Sequence, residues 1–299
     1  MKIWAISDLH LSFSVPNKTM DLFGPEWKDH PKKIAAAWDK TVSSNDLVLI
    51  PGDISWALRL EDALLDLEWI EKRPGTKVII RGNHDYWWSS LSKVKKVLPP
   101  SIHLIQNSSV TIGEVSIAGA RLWDSPEYSF DDIIDFKTQV APHSSLEAER
   151  GKEDTSVAMK ARLSHLAKEQ REVDYFPQPA CKRNGEQLGF EPCITEKKRE
   201  EKDDAAIFQR ELSRLEMSLR TIPKEAKVRI AMTHFPPIGV DLAPSVASAL
   251  FEKYGVSIVA FGHLHSLHKE LHPLFGSARG VRYELTSCDF IQFVPKLLL

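Results

Sequence analysis

Short apolar runs of strand length recur along this chain, and helical periodicity fills the gaps between them. Ile3, Ala5 and Ile6 open the series. Leu47-Val48-Leu49-Ile50 and Lys77-Val78-Ile79-Ile80 follow. The first of these is continuously apolar, the pattern of a strand buried on both faces. Between the runs, residues 31–43 read as a helix with Pro31 at its start and Ile34, Ala37, Trp38 and Thr41 on one side. Residues 60–73 turn Leu60, Ala63, Leu64, Leu67 and Ile70 inward and stop at Pro74-Gly75. This strand–helix–strand rhythm predicts parallel pairing through helical crossovers.

Farther along, a shorter helix over 89–97 ends before Pro99-Pro100, and residues 102–106, 109–112 and 115–120 read as short strands about Gly113. Val228–Met232 and Val256–Phe261 return to the buried-strand type, with Val246, Leu250, Phe251 and Tyr254 marking a helix face between them. Val281–Leu285 and Phe290–Phe293 read as finishing strands. Residues 12–30 are an irregular loop whose Phe13, Phe23 and Trp27 either cover the strand-end edge or pack on the next helix. From 124 to 222 the runs shorten and charges cluster, with helices expected over 155–170 and 204–220. The second carries Ile207, Phe208, Leu212, Leu215 and Leu219 on one face. The expected organisation is a core of residues 1–123 and 223–299 with a charged, partly helical insertion or cap at 124–222.

Polar clusters close five of the runs. They are Asp8-Leu9-His10, Gly52-Asp53, Gly82-Asn83-His84-Asp85, Thr233-His234 and Gly262-His263-Leu264-His265. Singly, each has a plain structural reading: a turn aspartate beside a surface histidine, or an Asx-turn after a glycine. Together, five clusters at five strand ends describe a metal site built from the loops of a sheet. Arg121, in Gly119-Ala120-Arg121-Leu122-Trp123, stands at another strand end, where a guanidinium either clamps a phosphate or makes a structural ion pair. Tyr86-Trp87-Trp88 either stack on a ligand or anchor their loop.

Composition narrows the field by exclusion. At 299 residues the chain is long enough for one large domain carrying an insertion. A net charge of −2 and scattered basic residues offer no stripe for a nucleic-acid groove, so nucleic acid is not the expected partner. Three cysteines, Cys181, Cys193 and Cys288, are too few for a disulfide framework and are expected as free thiols. The chain enters its first strand at Lys2, and no stretch reaches the roughly 18 apolar residues of a membrane span. The expectation is a cytoplasmic protein without a membrane anchor.

The candidate ligands are Asp8, His10, Asp53, Asn83, His234, His263 and His265. One division places Asp8, His10 and His265 on a first ion and Asn83, His234 and His263 on a second, with Asp53 bridging. Mixed imidazole and carboxylate ligation suits two divalent transition-metal ions, manganese first, with iron, zinc or cobalt as alternatives. Two such ions about 3.5–4 Å apart hold a hydroxide between them and clamp the attacked phosphorus. His84 is then the proton donor to the leaving oxygen, and Asp85 the carboxylate that orients it.

These elements, in this order over positions 8–265, resemble the calcineurin-like metallophosphoesterases. The resemblance implies an α/β fold, a four-layered α/β/β/α sandwich with a binuclear centre at strand ends. It implies the same ligand division and gives His84 leaving-group assistance. Within the family, Arg121 and Tyr86-Trp87-Trp88 resemble features of uncharacterised bacterial phosphohydrolases. The expected activity is hydrolysis of a small phosphodiester, phosphomonoester or phosphoanhydride. The alternatives are a metal-dependent nuclease and a protein-interaction scaffold that uses the insertion.

Overall fold

The apolar runs pair into two mixed β-sheets. In the computed structural model, which describes residues 1–134, 194–268 and 274–299, the first sheet contains β1 (Ile3–Ala5), β2 (Leu47–Ile50), β3 (Thr76–Ile79), β4 (Ile102–Leu104) and β11 (Lys296–Leu297). Their order is β11-β1-β2-β3-β4, with β1 to β4 parallel and β11 antiparallel. The second sheet contains β5 (Ser109–Ile112), β6 (Val115–Ala120), β7 (Val228–Thr233), β8 (Ile258–Phe261), β9 (Ser277–Ala278) and β10 (Val281–Leu285). Its order is β5-β6-β7-β8-β10-β9, with β6, β7, β8 and β10 parallel. Parallel neighbours need a crossover. α1 (His30–Thr41), α2 (Leu60–Glu71) and α3 (Leu91–Val97) supply them in the first sheet. In the second, α4 (Ile194–Arg220) leads into β7, and α5 (Val246–Lys253) joins β7 to β8.

Successive strand residues point to opposite faces, and three separate cores show where those faces go. Ile3, Ala5, Leu47, Leu49 and Val78 meet Ile117, Ile230, Met232, Ile258 and Ala260, so the two sheets pack on each other. Trp4, Val48, Ile50 and Ile79 face Ile34, Trp38, Leu67 and Ile70 of α1 and α2. Ala118, Ala231, Val259 and Tyr283 face Leu215 and Leu219 of α4 and Phe251 of α5. Helices, sheet, sheet and helices therefore form four layers. A strand sandwiched between two apolar layers has no polar face, which is why β2 reads as an unbroken apolar run.

Several expectations need correction. Residues 290–293 form turns rather than a strand: Gln292 and Phe293 take left-handed φ of 55° and 60°, and Phe293 N–H bonds back to Cys288 O at 2.6 Å. The turn buries Phe293 against Trp27 and carries Asp289 toward the strand ends. The chain divides into a unit of Met1–Gln139 with Glu200–Leu299 and a second of Val140–Arg199. Within the first unit, α4 packs Leu215 and Leu219 under the second sheet and buries Phe208. The helix expected over 155–170, Cys181 and Cys193 lie outside the described residues. Cys288 is a buried free thiol.

Candidate metal centre

All five polar clusters meet where the parallel strands of both sheets end. Their loops are hydrogen-bonded side by side. Asp8 N–H donates to Gly52 O and His10 N–H to Asp53 O, both at 3.0 Å. Gly262 N–H donates to His234 O at 3.1 Å, and Ser7 N–H to Thr286 O at 2.8 Å, which ties the end of β1 to the end of β10. Four of the expected ligands sit in left-handed backbone: Asp8 (φ 58°), His10 (43°), Asp53 (51°) and His263 (74°). Each such residue costs on the order of 1–3 kcal/mol and persists where its surroundings over-determine it. Asp8 and His10 therefore share a direction through these turns, not through strand alternation as their two-residue spacing suggests. Two glycines permit the closeness. A Cβ on Gly82 would lie 2.0 Å from Asp53 Oδ1, and one on Gly262 would lie 2.2 Å from Asp8 Oδ2.

Asp8, His10 and His265 form one group of converging donor atoms, and Asp8, Asp53 and His234 a second. In the first, His10 Nε2 and His265 Nε2 face each other at 3.4 Å, with Asp8 Oδ1 3.4 Å from His265 Nε2 and Asp53 Oδ2 3.7 Å from His10 Nε2. In the second, His234 Nδ1 donates to Pro51 O at 3.0 Å. That leaves Nε2 turned to Asn83 Oδ1 at 2.6 Å and Asp53 Oδ2 at 3.3 Å. Asp53 Oδ2 lies between the two groups. His263 stacks its ring on Phe235 at 4.0 Å and stands edge-on to His234 at 5.2 Å, while its N–H donates to both Asp8 oxygens.

The electrostatics fit a cation. Burial opposes the charge on His234, yet Asp53 and Asp8 push its pKa up to about 9. Against the same burial penalty, Asp289 and Asp8 raise His265 well above the usual histidine range. Burial holds His10 down to about 3, and burial with the neighbouring His234 charge holds His263 well below its ordinary value. Neutral imidazoles are ligands, and the field that draws protons to His234 and His265 draws divalent cations equally.

His84 stands at the lip of this cluster. Its side chain is 19% exposed, its Nε2 lies 4.0 Å from Asp53 Oδ2, and its ring meets Trp56 at 4.4 Å and His10 at 5.5 Å. Asp85 is fully buried. Its Oδ1 accepts from Ile54 N–H, Ser55 N–H and Trp87 Nε1–H at 2.9–3.1 Å, and its Oδ2 from Gly82 N–H at 2.8 Å. Those bonds clamp the loop after β2 to the loop after β3, so the hold of Asp85 on His84 runs through the backbone of the 81–85 turn. Trp87 and Trp88 are buried and anchor that turn. Arg121 is outside the ligand cluster. Its carbonyl accepts from His234 N–H and Phe235 N–H, its guanidinium lies over Trp123 at 4.7 Å, and its Nη2 meets Glu211 at 3.3 Å.

The family model of the calcineurin-like phosphoesterases matches residues 1–267. The chain belongs to that family. The donors at the strand ends are where this chain would carry the divalent ions that the family implies. It is 42% identical over 84 residues to the Gene 66 protein of Mycobacterium phage D29, a stretch covering 28% of this chain and 40% of that protein. The Gene 66 protein of Mycobacterium phage L5 is 38% identical over 82 residues, 27% of this chain and 39% of that protein. The chain thus spans about two fifths of the length of these curated relatives. Among solved structures, the protein of unknown function AQ665 from Aquifex aeolicus aligns over 99% of this chain and 95% of its own, at 11% identity and a TM-score of 0.42.

The residues that support the candidate ligands are not marked by any motif in the sequence. Asp289 Oδ1 takes His265 Nδ1 at 2.8 Å while its Oδ2 accepts from Ser266 N–H at 3.0 Å. A carboxylate only accepts, so Nδ1 carries the proton and Nε2 is left for a metal. Trp56 stacks on His10 at 4.9 Å and holds a ring whose Nδ1 has no hydrogen-bond partner. Trp27 packs edge-on against both His10 and His265, so the irregular loop reaches the site as well as the core. Cys288 donates its thiol to Asp8 O at 3.0 Å. None of these sits in a motif; Asp289 had only its place after a late strand to mark it.

Proposed function

We propose that this protein hydrolyses a small phosphoester or phosphoanhydride at a binuclear centre held by Asp8, His10 and His265 on one side and Asn83, His234 and His263 on the other, with Asp53 between them. The observation that carries the reading is the convergence of three imidazoles on two carboxylates: His234 Nε2 and His10 Nε2 lie 3.3 and 3.7 Å from Asp53 Oδ2, and His265 Nε2 lies 3.4 Å from Asp8 Oδ1, with His84 at the rim. When bound, divalent ions supply Lewis-acid polarisation of the phosphoryl group and acidify the attacking water.

The chain's own residues do the rest. Asp289 fixes the tautomer and plane of His265, and Pro51 O does the same for His234. Trp27 and Trp56 exclude water from the far side of His10. His84, partly exposed where a leaving group departs, delivers the proton to the leaving oxygen from Nε2. Among the described residues no helix is long and apolar enough to cross a bilayer.

The test compares initial rates on nitrophenyl phosphodiester and phosphomonoester, using protein stripped of metal and reloaded with manganese. His84→Ala is expected to lower kcat by roughly 10²–10⁴-fold, the range of general acid–base catalysis, with bound metal unchanged. Asp53→Asn is expected to lose both turnover and stoichiometric metal. Equal turnover in both variants would remove the assignment.

A further inference from the structure

A second polar site lies at the same sandwich edge, on the side away from β8 and β10. It is a cleft of about 170 Å³ between the ends of β3, β4 and β6 and the face of α4. Its floor is apolar (Ile80, Ile105 and Ala120), and its polar wall holds Arg81, Arg121, Arg214 and Glu211. Glu211 is buried and paired with Arg214 Nη1 at 2.6 Å and Arg121 Nη2 at 3.3 Å. Three guanidiniums against one carboxylate leave two positive charges without an anion among the described lining residues. Arg81 Nε is buried with no hydrogen-bond partner. Trp88 Nε1–H occupies Gln106 Oε1 at 3.1 Å, which leaves Gln106 its amide donors for the cleft it lines. Donors without acceptors and cations without counter-ions are the complement of a phosphate dianion, which arginine forks bind bidentately.

The cleft is joined to the metal centre by its backbone. Arg81 stands two residues before Asn83, and the Arg121 carbonyl holds the N–H groups of His234 and Phe235 at 3.1 and 2.9 Å. It is smaller than the about 300–1,000 Å³ of sites that enclose a whole ligand, so it suits one group of a substrate whose reacting part lies elsewhere.

We propose that this arginine cleft binds a second phosphate of the substrate, so that the bond cleaved at the metal centre is the P–O–P linkage of a nucleoside diphosphate or a similar phosphoanhydride. The inference rests on the hydrolase reading above and narrows its substrate class. In the reaction, the oxygen of water bonds to the attacked phosphorus and the bridging P–O bond breaks. The bridging oxygen leaves with its electron pair on the phosphate seated in the cleft. His84 supplies a proton at that oxygen, and the proton lost by water passes to solvent.

The test uses the full chain reloaded with manganese and two substrates, ADP and bis(4-nitrophenyl) phosphate. The quantity read is the ratio of their kcat/KM values. Arg81→Gln and Arg214→Gln are each expected to lower that ratio about 10-fold or more, mainly through the KM for ADP, as befits a lost charge-assisted hydrogen bond. Arg214 is 41% exposed on its helix but pairs with the buried Glu211, so urea unfolding of each variant separates a lost subsite from a lost fold. Calorimetric titration of metal-free protein with inorganic phosphate gives a readout independent of turnover: binding is expected in the parent and about 10-fold weaker in both variants. Diester turnover with an unchanged ratio would overturn the cleft as a substrate subsite and leave the hydrolase standing. Phosphate binding with an unchanged ratio would make the cleft a site for free anions and also overturn the proposal. No turnover of either substrate would remove the hydrolase reading, and the substrate assignment with it.

Discussion

The metal centre and the arginine cleft share one edge of the sandwich and are built in opposite ways. The centre is made of short side chains on hydrogen-bonded loops, with left-handed backbone at Asp8, His10, Asp53 and His263. Behind the ligands stand fixed partners, including Asp289, Pro51 O and Asp85. The cleft is made of long guanidinium side chains around one buried carboxylate, and one of those side chains is partly in solvent. Ligand bonds tolerate only tenths of an ångström, so a cation centre needs the backbone itself as its frame. An anion with many acceptor lone pairs is satisfied by several arrangements of arginine donors, and side-chain freedom suffices.

The sharpest way to break this contrast is to remove the clamp behind the centre. Asp85→Ala leaves the N–H groups of Ile54, Ser55 and Gly82 and the indole of Trp87 buried without their acceptor. Unsatisfied buried donors cost about 1–3 kcal/mol each, so a stability loss of about 3 kcal/mol or more is expected in urea unfolding. An unfolding midpoint like that of the parent would show that the loops hold themselves.

A smaller effect is expected from Asp289→Asn, which keeps the shape of the side chain and removes its charge. Metal affinity should fall by roughly 10–100-fold with the fold intact, measured by competition with a chelator. Unchanged affinity would mean that packing by Trp27, not Asp289, orients His265.

The smallest effect is a pH dependence behind the loops. Burial, against bonds from Ser55 Oγ and Phe13 N–H, raises Asp66 from 3.8 to about 6. The folded chain therefore binds this proton more tightly than the unfolded chain. The contribution favours folding at low pH and is lost as pH rises from about 4 through about 6. Between roughly pH 5 and 7 the loss is on the order of 1 kcal/mol. Metal-free Asp66→Asn should show correspondingly less change over that interval in denaturant titrations, and an identical pH profile would show that Asp66 is ionised throughout.

Much of this molecule could be read from residue order alone. The runs at Leu47–Ile50 and Ile258–Phe261 are legible as strands because a strand covered on both faces has no position for a polar residue. The polar clusters that converge at the strand ends are legible because each follows such a run within a few residues. Phe290-Ile291-Gln292-Phe293 reads as a strand because a short apolar stretch fits a turn that buries Phe293 as well as it fits a strand. The apolar face of the 204–220 helix, with Leu215 and Leu219, is legible from its periodicity, while the surface it packs on, the second sheet, is seen only in the fold.

What the sequence by itself determined is which donor groups follow the strands: imidazole, carboxylate and amide are chosen residue by residue. What only the tertiary structure decided is how those groups are held and what lies beside them. Asp289 reaches His265 across 24 positions, and Glu211 reaches Arg121 across 90. The ends of the two sheets bring such groups together through space, and a contact of that kind leaves no periodicity or spacing in the chain.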